Sequence, residues 1–318
     1  MNALDETTRP APDPAPDPPP AEDRRIAETF RASPKKTTHE QGERRADDHA
    51  PRARFDVQLD RYEAKYVIPR RLVPRIREFI RPFCMPDPNT RGDPPEYVIT
   101  TLQLDTPDLA LHRAKMNEAK NRFKLRVRTY GEPGESAVYL EVKRKIRGTI
   151  VKSRAKVPFD RWSERVVRDT RVNLTFKSRE EENGYLNFVR LVRETGARPA
   201  VLVRYNRESY FGKYDTYARV TFDRRLLYQP TSSWDSWGRN GRWLAMDTPL
   251  AQNQGNRYSG VVLEVKTLSD APHWMMDLIQ HFNLERTGHC KYSVAFWLES
   301  LFGGEGHAPF IAEDLLFP

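Results

Sequence analysis

The chain has 318 residues, of which 38% are hydrophobic, and a net charge of +9, so it holds enough apolar material for a folded core. It has no run of 18 apolar residues, which excludes a membrane-spanning helix. A signal peptide is not expected, because no apolar segment of the required length follows Met1. The two cysteines, Cys84 and Cys290, exclude a disulfide framework, suit a reducing compartment and lack the neighbours of a zinc site.

Residues 1–53 differ in composition from the rest of the chain. They hold 9 of the 25 prolines and few large apolar side chains, which predicts a disordered, proline-rich tail. A folded domain is predicted over residues 54–303, with a C-terminal tail over residues 304–318. Residues 1–53 carry a net charge of −2, so the remainder carries +11. This charge favours a polyanionic partner, such as nucleic acid, an anionic membrane surface or a phosphate-rich small molecule.

Alternation of apolar and polar residues dominates the folded part and predicts eight β-strands. The predicted strands are Leu59–Ile68, Glu96–Leu104, Asn121–Tyr130, Ala137–Ile146, Thr149–Phe159, Pro199–Phe211, Thr216–Leu227 and Ser259–Leu268. A short hairpin at Arg147-Gly148 joins the fourth and fifth of these strands.

Apolar residues at helical spacing predict five helices between and after the strands. These helices are Arg70–Phe83, Pro107–Ala119, Ser178–Arg193, Ala271–Phe282 and Lys291–Phe302. Ser178 and Glu181 form a capping box, Gly196 follows the end of that helix, and Asp270 is predicted to cap the next one. The segment Gln229–Asn256, rich in Trp, Gly, Ser and Asn, is predicted to be a surface insertion.

A Glu-x-Lys pattern occurs three times in the predicted strands, in RYEAKYVI (Arg61–Ile68), YLEVKRKI (Tyr139–Ile146) and VLEVKTL (Val262–Leu268). Because residues i and i+2 of a strand share a face, the Glu and Lys lie on one face and the apolar residues on the other. Other strands carry basic rows with the same spacing. These rows are Arg122, Lys124, Arg126 and Arg128; Lys152, Arg154 and Lys156; Tyr205, Arg207 and Ser209; and Arg219, Thr221 and Asp223.

Two arrangements fit the charged faces. In the first, an antiparallel sheet turns its charged face to water. In the second, eight strands close into a barrel wide enough for a small ligand, and the inward arginines and lysines require an anion there. The scarcity of Thr, Ser and Gln on these faces favours the barrel. The carboxylates among the basic residues, Glu63, Glu141, Asp223 and Glu264, would then be able to hold a divalent metal, as in a polyphosphate site.

Eight short motifs follow one another along the chain: RYEAKYVIP, LQLDTPD, FKLRVRTYG, YLEVKRKI, RYNRESY, RVTFDRRL, VVLEVKTL and KYSVAFWL. In content and order they resemble the VTC domain, the polyphosphate polymerase domain of the vacuolar transporter chaperone complex. That domain is part of the triphosphate tunnel metalloenzyme (CYTH-like) superfamily. The resemblance covers about Asp56–Leu301 and rests on all eight motifs together, because an isolated Glu-x-Lys is not specific.

The resemblance implies an α+β fold, in which an eight-stranded antiparallel β-barrel forms a tunnel with helices packed outside it. It implies an ATP-dependent polyphosphate polymerase that moves the γ-phosphate of ATP onto a growing polyphosphate chain. The implied cofactor is a divalent metal, manganese or else magnesium. The residues that it implies are Lys65, Arg126, Arg128, Lys143, Arg207 and Arg219 for catalysis; Lys152, Tyr205 and Lys291 for substrate binding; and Glu264 for the metal, with Glu63 and Glu141 as secondary metal candidates.

Alternatives remain open for several of these residues. Glu141 either binds metal or pairs with Lys143 or with a cross-strand arginine. Lys124, Lys145 and Lys156 share the spacing of the tunnel residues but are predicted to lie at the rim or in solvent.

Other residues are less tied to the predicted tunnel. His289 is predicted to be structural and Cys290 to be a buried helix residue. The cluster Trp234–Trp243 either stacks an adenine or covers a surface. Two departures from the family pattern are present. Lys291 stands alone where some members have two lysines at the chain exit, and Arg61 replaces the first glutamate of related hydrolases, which disfavours a two-metal site.

Two other functions compete with the polymerase. One is a hydrolase of the same fold that cleaves tripolyphosphate or nucleoside triphosphates. The other is a non-catalytic polyanion-binding module, although aromatic residues are not interleaved on the basic faces as nucleic-acid binders require, so nucleic acid is not expected as a partner. The expected partners are ATP and polyphosphate, and the expected location is the cytoplasm, or the membrane surface through a separate membrane protein.

Overall fold

The computed structural model describes residues 61–169, 172–215, 217–247, 259–268 and 270–302. The tails predicted at residues 1–53 and 304–318 lie outside the described residues, as does part of the predicted surface insertion. Within the described ranges the protein has a mixed α+β fold built on one large antiparallel sheet.

Ten strands form the sheet. They are β1 (Arg61–Ile68), β2 (Cys84–Pro86), β3 (Glu96–Asp105), β4 (Asn121–Tyr130), β5 (Val138–Ile146), β6 (Thr149–Val157), β7 (Arg198–Gly212), β8 (Arg219–Pro230), β9 (Leu244–Ala245) and β10 (Val261–Leu268). The order across the sheet is β1-β10-β8-β7-β3-β4-β5-β6, with β2 paired to β7 and β9 paired to β8. All eight predicted strands are present, and the two that the sequence does not predict, β2 and β9, are too short to show an alternating pattern.

Six α-helices occur in the described ranges. They are α1 (Leu72–Ile80), α2 (Ala110–Met116), α3 (Arg165–Arg168), α4 (Arg179–Thr195), α5 (His273–His281) and α6 (Lys291–Phe302). Five of them match predicted helices, whereas α3 is a single turn that leaves no periodic signal in the sequence. None of the helices in these ranges is long and apolar enough to cross a membrane.

The ends of two helices test the predicted caps. At the start of α4, the Ser178 hydroxyl accepts a hydrogen bond from the backbone N–H of Glu181 at 3.2 Å, and Gly196 ends the helix with a φ of +65°, as predicted. The prediction that Asp270 caps α5 is wrong. The residue before α5 is Pro272, whose ring fixes a φ of −56°, and the helix begins directly after it.

Helices α1, α4 and α5 cover the outer face of the sheet. Ile76 and Ile80 of α1 pack in one buried cluster with Phe222 of β8, Leu263 of β10 and Leu278 of α5. Helix α4 packs against β5 and β6. Apolar residues of β8 and β10, such as Phe222 and Leu263, therefore face α1 and α5.

Helix α6 lies on the inner, charged face. Its residues Tyr292 and Phe296 pack with Tyr205 of β7 and Val262 of β10, and Val262 shares a strand face with Glu264. The expectation that all helices pack outside the sheet is therefore wrong for α6. The amino-terminal end of α6 contacts charged residues, and its apolar residues cover one part of the inner face. The charged part of this face remains open.

The sheet is strongly curved. Six strand spacings of about 4.8 Å separate β1 from β5 along the strand order, so a flat sheet would hold them about 29 Å apart. Nevertheless, Glu63 on β1 and Lys143 on β5 lie near enough for each charge to shift the other's pKa. The charged faces of distant strands therefore converge on one interior.

Backbone hydrogen bonds do not close this curved sheet. In the described ranges, β1 and β6 stand at the two ends of the strand order and share no pairing. The predicted closed eight-stranded barrel is therefore not confirmed. The described architecture is a ten-stranded open sheet whose charged face curls inward.

We predict that Gly184→Ala lowers the free energy of unfolding by about 1–3 kcal/mol, although alanine is the better helix former by about 1 kcal/mol. Gly184 lies in the middle of α4, and a Cβ added there would come within 2.9 Å of the backbone oxygen of Arg154 on β6. The measurement is equilibrium denaturant unfolding. Gly288→Ala is the control, because a Cβ there meets nothing within 4 Å, and equal stability of the two variants would contradict close packing of α4 on β6.

Candidate functional site

Two of the three Glu-x-Lys strands pair with each other. Strands β1 and β10 are antiparallel, so Lys65 lies opposite Glu264 and Glu63 lies opposite Lys266. The ammonium of Lys266 is 2.6 Å from Glu264 and 3.8 Å from Glu63, and that of Lys65 is 3.2 Å from Glu63 and 4.0 Å from Glu264. The reversal of direction between the strands thus turns one repeated motif into a square of alternating charges.

The charges of this square stabilise one another. Although burial raises the pKa of a carboxyl group, Lys65 and Lys266 lower the pKa of Glu63 to about 2 and also lower the pKa of Glu264. Burial opposes the charged form of Lys65, but Glu264 and Glu63 raise its pKa above the ordinary value. Glu63, Glu264 and Lys65 therefore remain ionised at neutral pH.

The third Glu-x-Lys strand, β5, has a different environment. Its Glu141 lies opposite Arg126 of β4 and Arg154 of β6, and it forms ion pairs of 3.2 Å with Arg126 and 3.5 Å with Arg128 and Arg154. Of the alternatives that the sequence left open for Glu141, the structure supports pairing with cross-strand arginines. Three guanidinium groups around one carboxylate leave little attraction for a metal cation.

The lysine of the same motif has no such compensation. Lys143 lies directly between Lys124 of β4 and Lys152 of β6, so three lysines form a row across adjacent strands. No carboxylate lies within 4 Å of Lys143 in the described residues. Burial lowers its pKa, Glu63 opposes the shift, and Lys65, Arg126 and Lys152 add to it, with a result of about 8. This lysine row is the place where an anion would stabilise the protein most directly.

A buried carboxylate organises the next part of the interior. Asp223 of β8, with 0% exposure, accepts two hydrogen bonds from Arg207 of β7 at 2.7 and 2.8 Å and one from Lys291 of α6 at 2.6 Å. Burial raises its pKa, but Arg207 and Lys291 lower it below the ordinary value. Both cations also lie over the ring of Tyr205, with Lys291 at 4.6 Å from the ring centroid and Arg207 at 5.4 Å.

Cys290 joins the lysine row to α6. Its sulfur accepts a hydrogen bond from the Lys124 ammonium at 3.0 Å. Burial raises the pKa of the thiol, but Lys124 and hydrogen bonds from Ser293 lower it to about 5. Cys290 thus adds a thiolate to the interior. The sequence prediction of a buried helix residue is wrong, since Cys290 is half-buried and directly precedes α6.

Most of the predicted site residues share this interior. Those that the structure brings together there are Lys65, Arg126, Arg128, Lys143, Tyr205, Arg207, Glu264 and Lys291. Two others lie at its margins. Arg219 lies opposite Lys266 but stacks on the ring of Phe211, 4.0 Å from its centroid, and Lys152 is exposed on the end strand β6.

The sequence analysis misplaced Lys124 and Cys290, whereas it placed Arg154 in a basic row and Asp223 among the carboxylates of the interior. Lys124 does not lie at the rim but contacts Cys290, and Arg154 contacts Glu141 and stacks 3.7 Å above the ring of Tyr139. Asp223 and Cys290 also belong to the interior. The alternating spacing places Lys124, Arg154 and Asp223 on the correct face, whereas no local signal indicates the position of Cys290.

The square of charges offers a divalent cation only two carboxylate ligands, Glu63 and Glu264. The described residues contain no group of three or more His, Cys, Asp or Glu side chains that would hold a metal without help. Glu63 and Glu264 nevertheless supply ionised oxygens at neighbouring positions on adjacent strands. Magnesium sites of phosphate enzymes use one or two carboxylates and complete the coordination with substrate oxygens and water, so this pair is compatible with such a site.

The chemistry available in the interior is that of anion binding. Lysines and arginines from six strands and α6 outnumber the carboxylates Glu63, Glu141, Asp223 and Glu264. Arginine offers paired donors to phosphate oxygens, and lysine offers a compact charge. A long polyanion with charges at regular intervals matches a row of cations better than a single compact anion does.

Comparison with known proteins gives one clear match. The family model of the VTC domain matches residues 60–298. No curated protein matches the sequence at a significant level. Two solved structures are similar at 13% identity. The first is the PH1819 protein from Pyrococcus horikoshii OT3: the match covers 77% of this chain and 99% of that chain, with a TM-score of 0.36. The second is the Schizosaccharomyces pombe Mediator head module: the match covers 76% of this chain and 95% of that chain, with a TM-score of 0.30.

We predict that the affinity for tripolyphosphate falls above pH 8 because Lys143 loses its proton there. Its pKa of about 8 lies below the ordinary value, and a bound anion raises it, so each pH unit above 8 weakens binding by about tenfold until the bound pKa is reached. The measurement is tripolyphosphate affinity from pH 7 to 10. Lys143→Arg is the control, since guanidinium keeps its charge and the ligand titrates equally in both proteins; parallel pH profiles would contradict this role.

Proposed function

Because the chain belongs to the VTC domain family, we propose that it is an ATP-dependent polyphosphate polymerase. It transfers the γ-phosphate of ATP to the end of a growing polyphosphate chain. The observation that supports this proposal most strongly is the row of Lys124, Lys143 and Lys152, none of which has a carboxylate within 4 Å in the described residues. Lys124 and Lys143 face the same interior as Arg126 and Arg207, and Lys152 extends the row to its margin. A polyphosphate chain supplies the missing negative charge at regular spacing.

In this proposal the curved sheet encloses the substrate as a tunnel. The charges of β1 and β5 already act on each other, so these two strands, six positions apart in the sheet, curve towards the same interior. A phosphate chain lying along this interior contacts Lys65 and Lys143 from opposite sides. Lys152 on the end strand β6 and Arg219 on β8 bind the chain where it enters or leaves.

Catalysis rests on positioning and charge. Phosphoryl transfer passes through a loose transition state, so the protein has little covalent chemistry to perform. Arg126 and Arg128 bind non-bridging oxygens of the transferred phosphoryl group, and Arg207 and Lys291, held in place by Asp223, orient the nucleotide beside Tyr205. The acceptor is already an anion, so neither a protein nucleophile nor a strong general base is needed.

Glu264 is the proposed metal ligand, with Glu63 beside it. The metal, manganese or magnesium, supplies positive charge to the phosphate oxygens when it is bound. Lys65 and Lys266 keep both carboxylates ionised. The use of ATP places the proposed reaction in the cytoplasm, and a separate membrane protein is the proposed recipient of the product chain.

The experiment that tests the function is incubation of the protein with ATP and manganese, followed by gel detection of polyphosphate and by a free-phosphate assay. We expect polyphosphate to lengthen with time while ADP accumulates in equal amount to the phosphate transferred. Release of free phosphate without any polymer would reject the polymerase and indicate a hydrolase of the same fold. Salt-dependent DNA binding without nucleotide turnover would reject both enzymatic functions and indicate a polyanion-binding module.

We predict that Glu264→Gln lowers turnover on the order of a thousandfold, because an amide is a poor ligand for a hard cation and the loss is several kcal/mol of charge stabilisation. ATP affinity should largely survive, since the variant removes a negative charge. Turnover and ATP affinity are measured across a manganese titration.

The control is Glu141→Gln, which changes the same motif at a carboxylate held by three arginines. We expect this control to leave the manganese dependence unchanged. Near-normal turnover of Glu264→Gln at ordinary manganese would reject Glu264 as the ligand and make Glu63 the next candidate.

A further inference from the structure

The outer face of the sheet carries a second concavity, which we call the aromatic cavity. It has a volume of about 650 Å³, which lies in the range of small-molecule sites. Its walls include Phe159 and Trp162 on one side and Trp234 and Trp237 on the other, and Arg168 and Arg198 contribute guanidinium groups.

The sheet separates the aromatic cavity from the basic interior. The Thr129 hydroxyl of β4 donates a hydrogen bond to the backbone oxygen of Ser236, in the loop that carries Trp234 and Trp237. Thr129 alternates along β4 with Arg126 and Arg128, so Arg128 points to the opposite face. These tryptophans therefore lie where they cannot stack on the base of a nucleotide bound in the interior.

The walls of the cavity are held in place by local hydrogen bonds. The Asp235 carboxylate accepts hydrogen bonds from the backbone N–H groups of Trp237 at 3.1 Å and Arg239 at 2.8 Å. The indole N–H of Trp162 donates to the backbone oxygen of Trp234 at 3.3 Å, which ties the two walls together. Phe159 contacts Trp237 edge to face, with ring centroids 5.0 Å apart. The rings are thus positioned before any ligand arrives.

The lining combines exposed ring surface with an excess of cations. Phe159 is 40% exposed, and Trp162 and Trp234 are half-buried, so ring faces remain available. Arg168 pairs with Glu164, whereas Arg198 has no ion pair in the described residues. A purely apolar partner would leave Arg198 without a counter-charge, and a simple anion would leave the rings exposed.

We propose that the aromatic cavity binds a nucleoside monophosphate, with its base against the tryptophan rings and its phosphate on Arg198. Stacking on an indole ring and a charge-assisted hydrogen bond to a guanidinium are the two interactions that this ligand class requires. Ser232 and Ser233 add hydroxyl groups for the sugar. This site is independent of the proposed polymerase reaction, because it lies on the other face of the sheet.

The test is calorimetric titration of the full-length protein with AMP, with and without saturating tripolyphosphate. Tripolyphosphate has no ring to stack on the tryptophans and is expected to occupy the basic interior, so we expect AMP binding to persist in its presence. Trp234→Ala and, separately, Arg198→Gln should each weaken this persistent binding by at least about tenfold. Because Arg198 is exposed, the second variant tests the site without disturbing the core.

Matched controls are Tyr214→Ala, at an aromatic residue that is 83% exposed, and Arg81→Gln, at an arginine that directly follows α1 and whose side chain is 75% exposed. Both should bind AMP like the wild type. Complete displacement of AMP by tripolyphosphate, or wild-type affinity in both cavity variants, would overturn the proposal. Binding of a proline-rich peptide at the cavity without any binding of AMP would also overturn it and assign the cavity to peptide recognition.

Discussion

Repulsion among the cations on the inner face is the constraint on which the rest of the structure depends. A curved sheet that turns rows of lysine and arginine inward brings like charges together in a poorly hydrated space. Four carboxylates at fixed points relieve part of this repulsion. Glu63 and Glu264 alternate with lysines, Glu141 binds three arginines, and Asp223 joins β7 and β8 to α6. Their positions decide which cations are held rigidly and which remain available.

The cations that remain available mark the binding surface. Lys143 has a lowered pKa because burial, Lys65, Arg126 and Lys152 together outweigh the opposing effect of Glu63. An anion bound beside Lys143 would supply the negative charge that this row lacks and would stabilise the charged form of the lysine. By contrast, Arg207 and Lys291 are fixed by Asp223 and can orient a substrate without first losing conformational freedom. The interior therefore combines a loosely compensated row for binding with a rigid corner for positioning.

The same strands serve two surfaces because successive side chains point to opposite faces. On β4, Arg126 and Arg128 face the interior, while Thr129 supports the loop that forms the aromatic cavity. Helices α1, α4 and α5 protect most of the outer face, and α6 occupies part of the inner one. Between Trp162 and Trp234 the described helices do not cover the outer face, and this surface is available to a ligand of different chemistry.

The sequence by itself determined eight of the ten strands, five helices and the shared face of the charges in the repeated motifs, because alternation and helical spacing are local properties of the chain. It also determined the family, through the order of motifs such as YLEVKRKI. Only the tertiary structure decided which charges neutralise one another: the antiparallel register sets Glu264 against lysines and Glu141 against arginines, although both lie in the same motif. The position of α6 on the inner face and the role of Cys290 followed from long-range packing, which no local pattern contains.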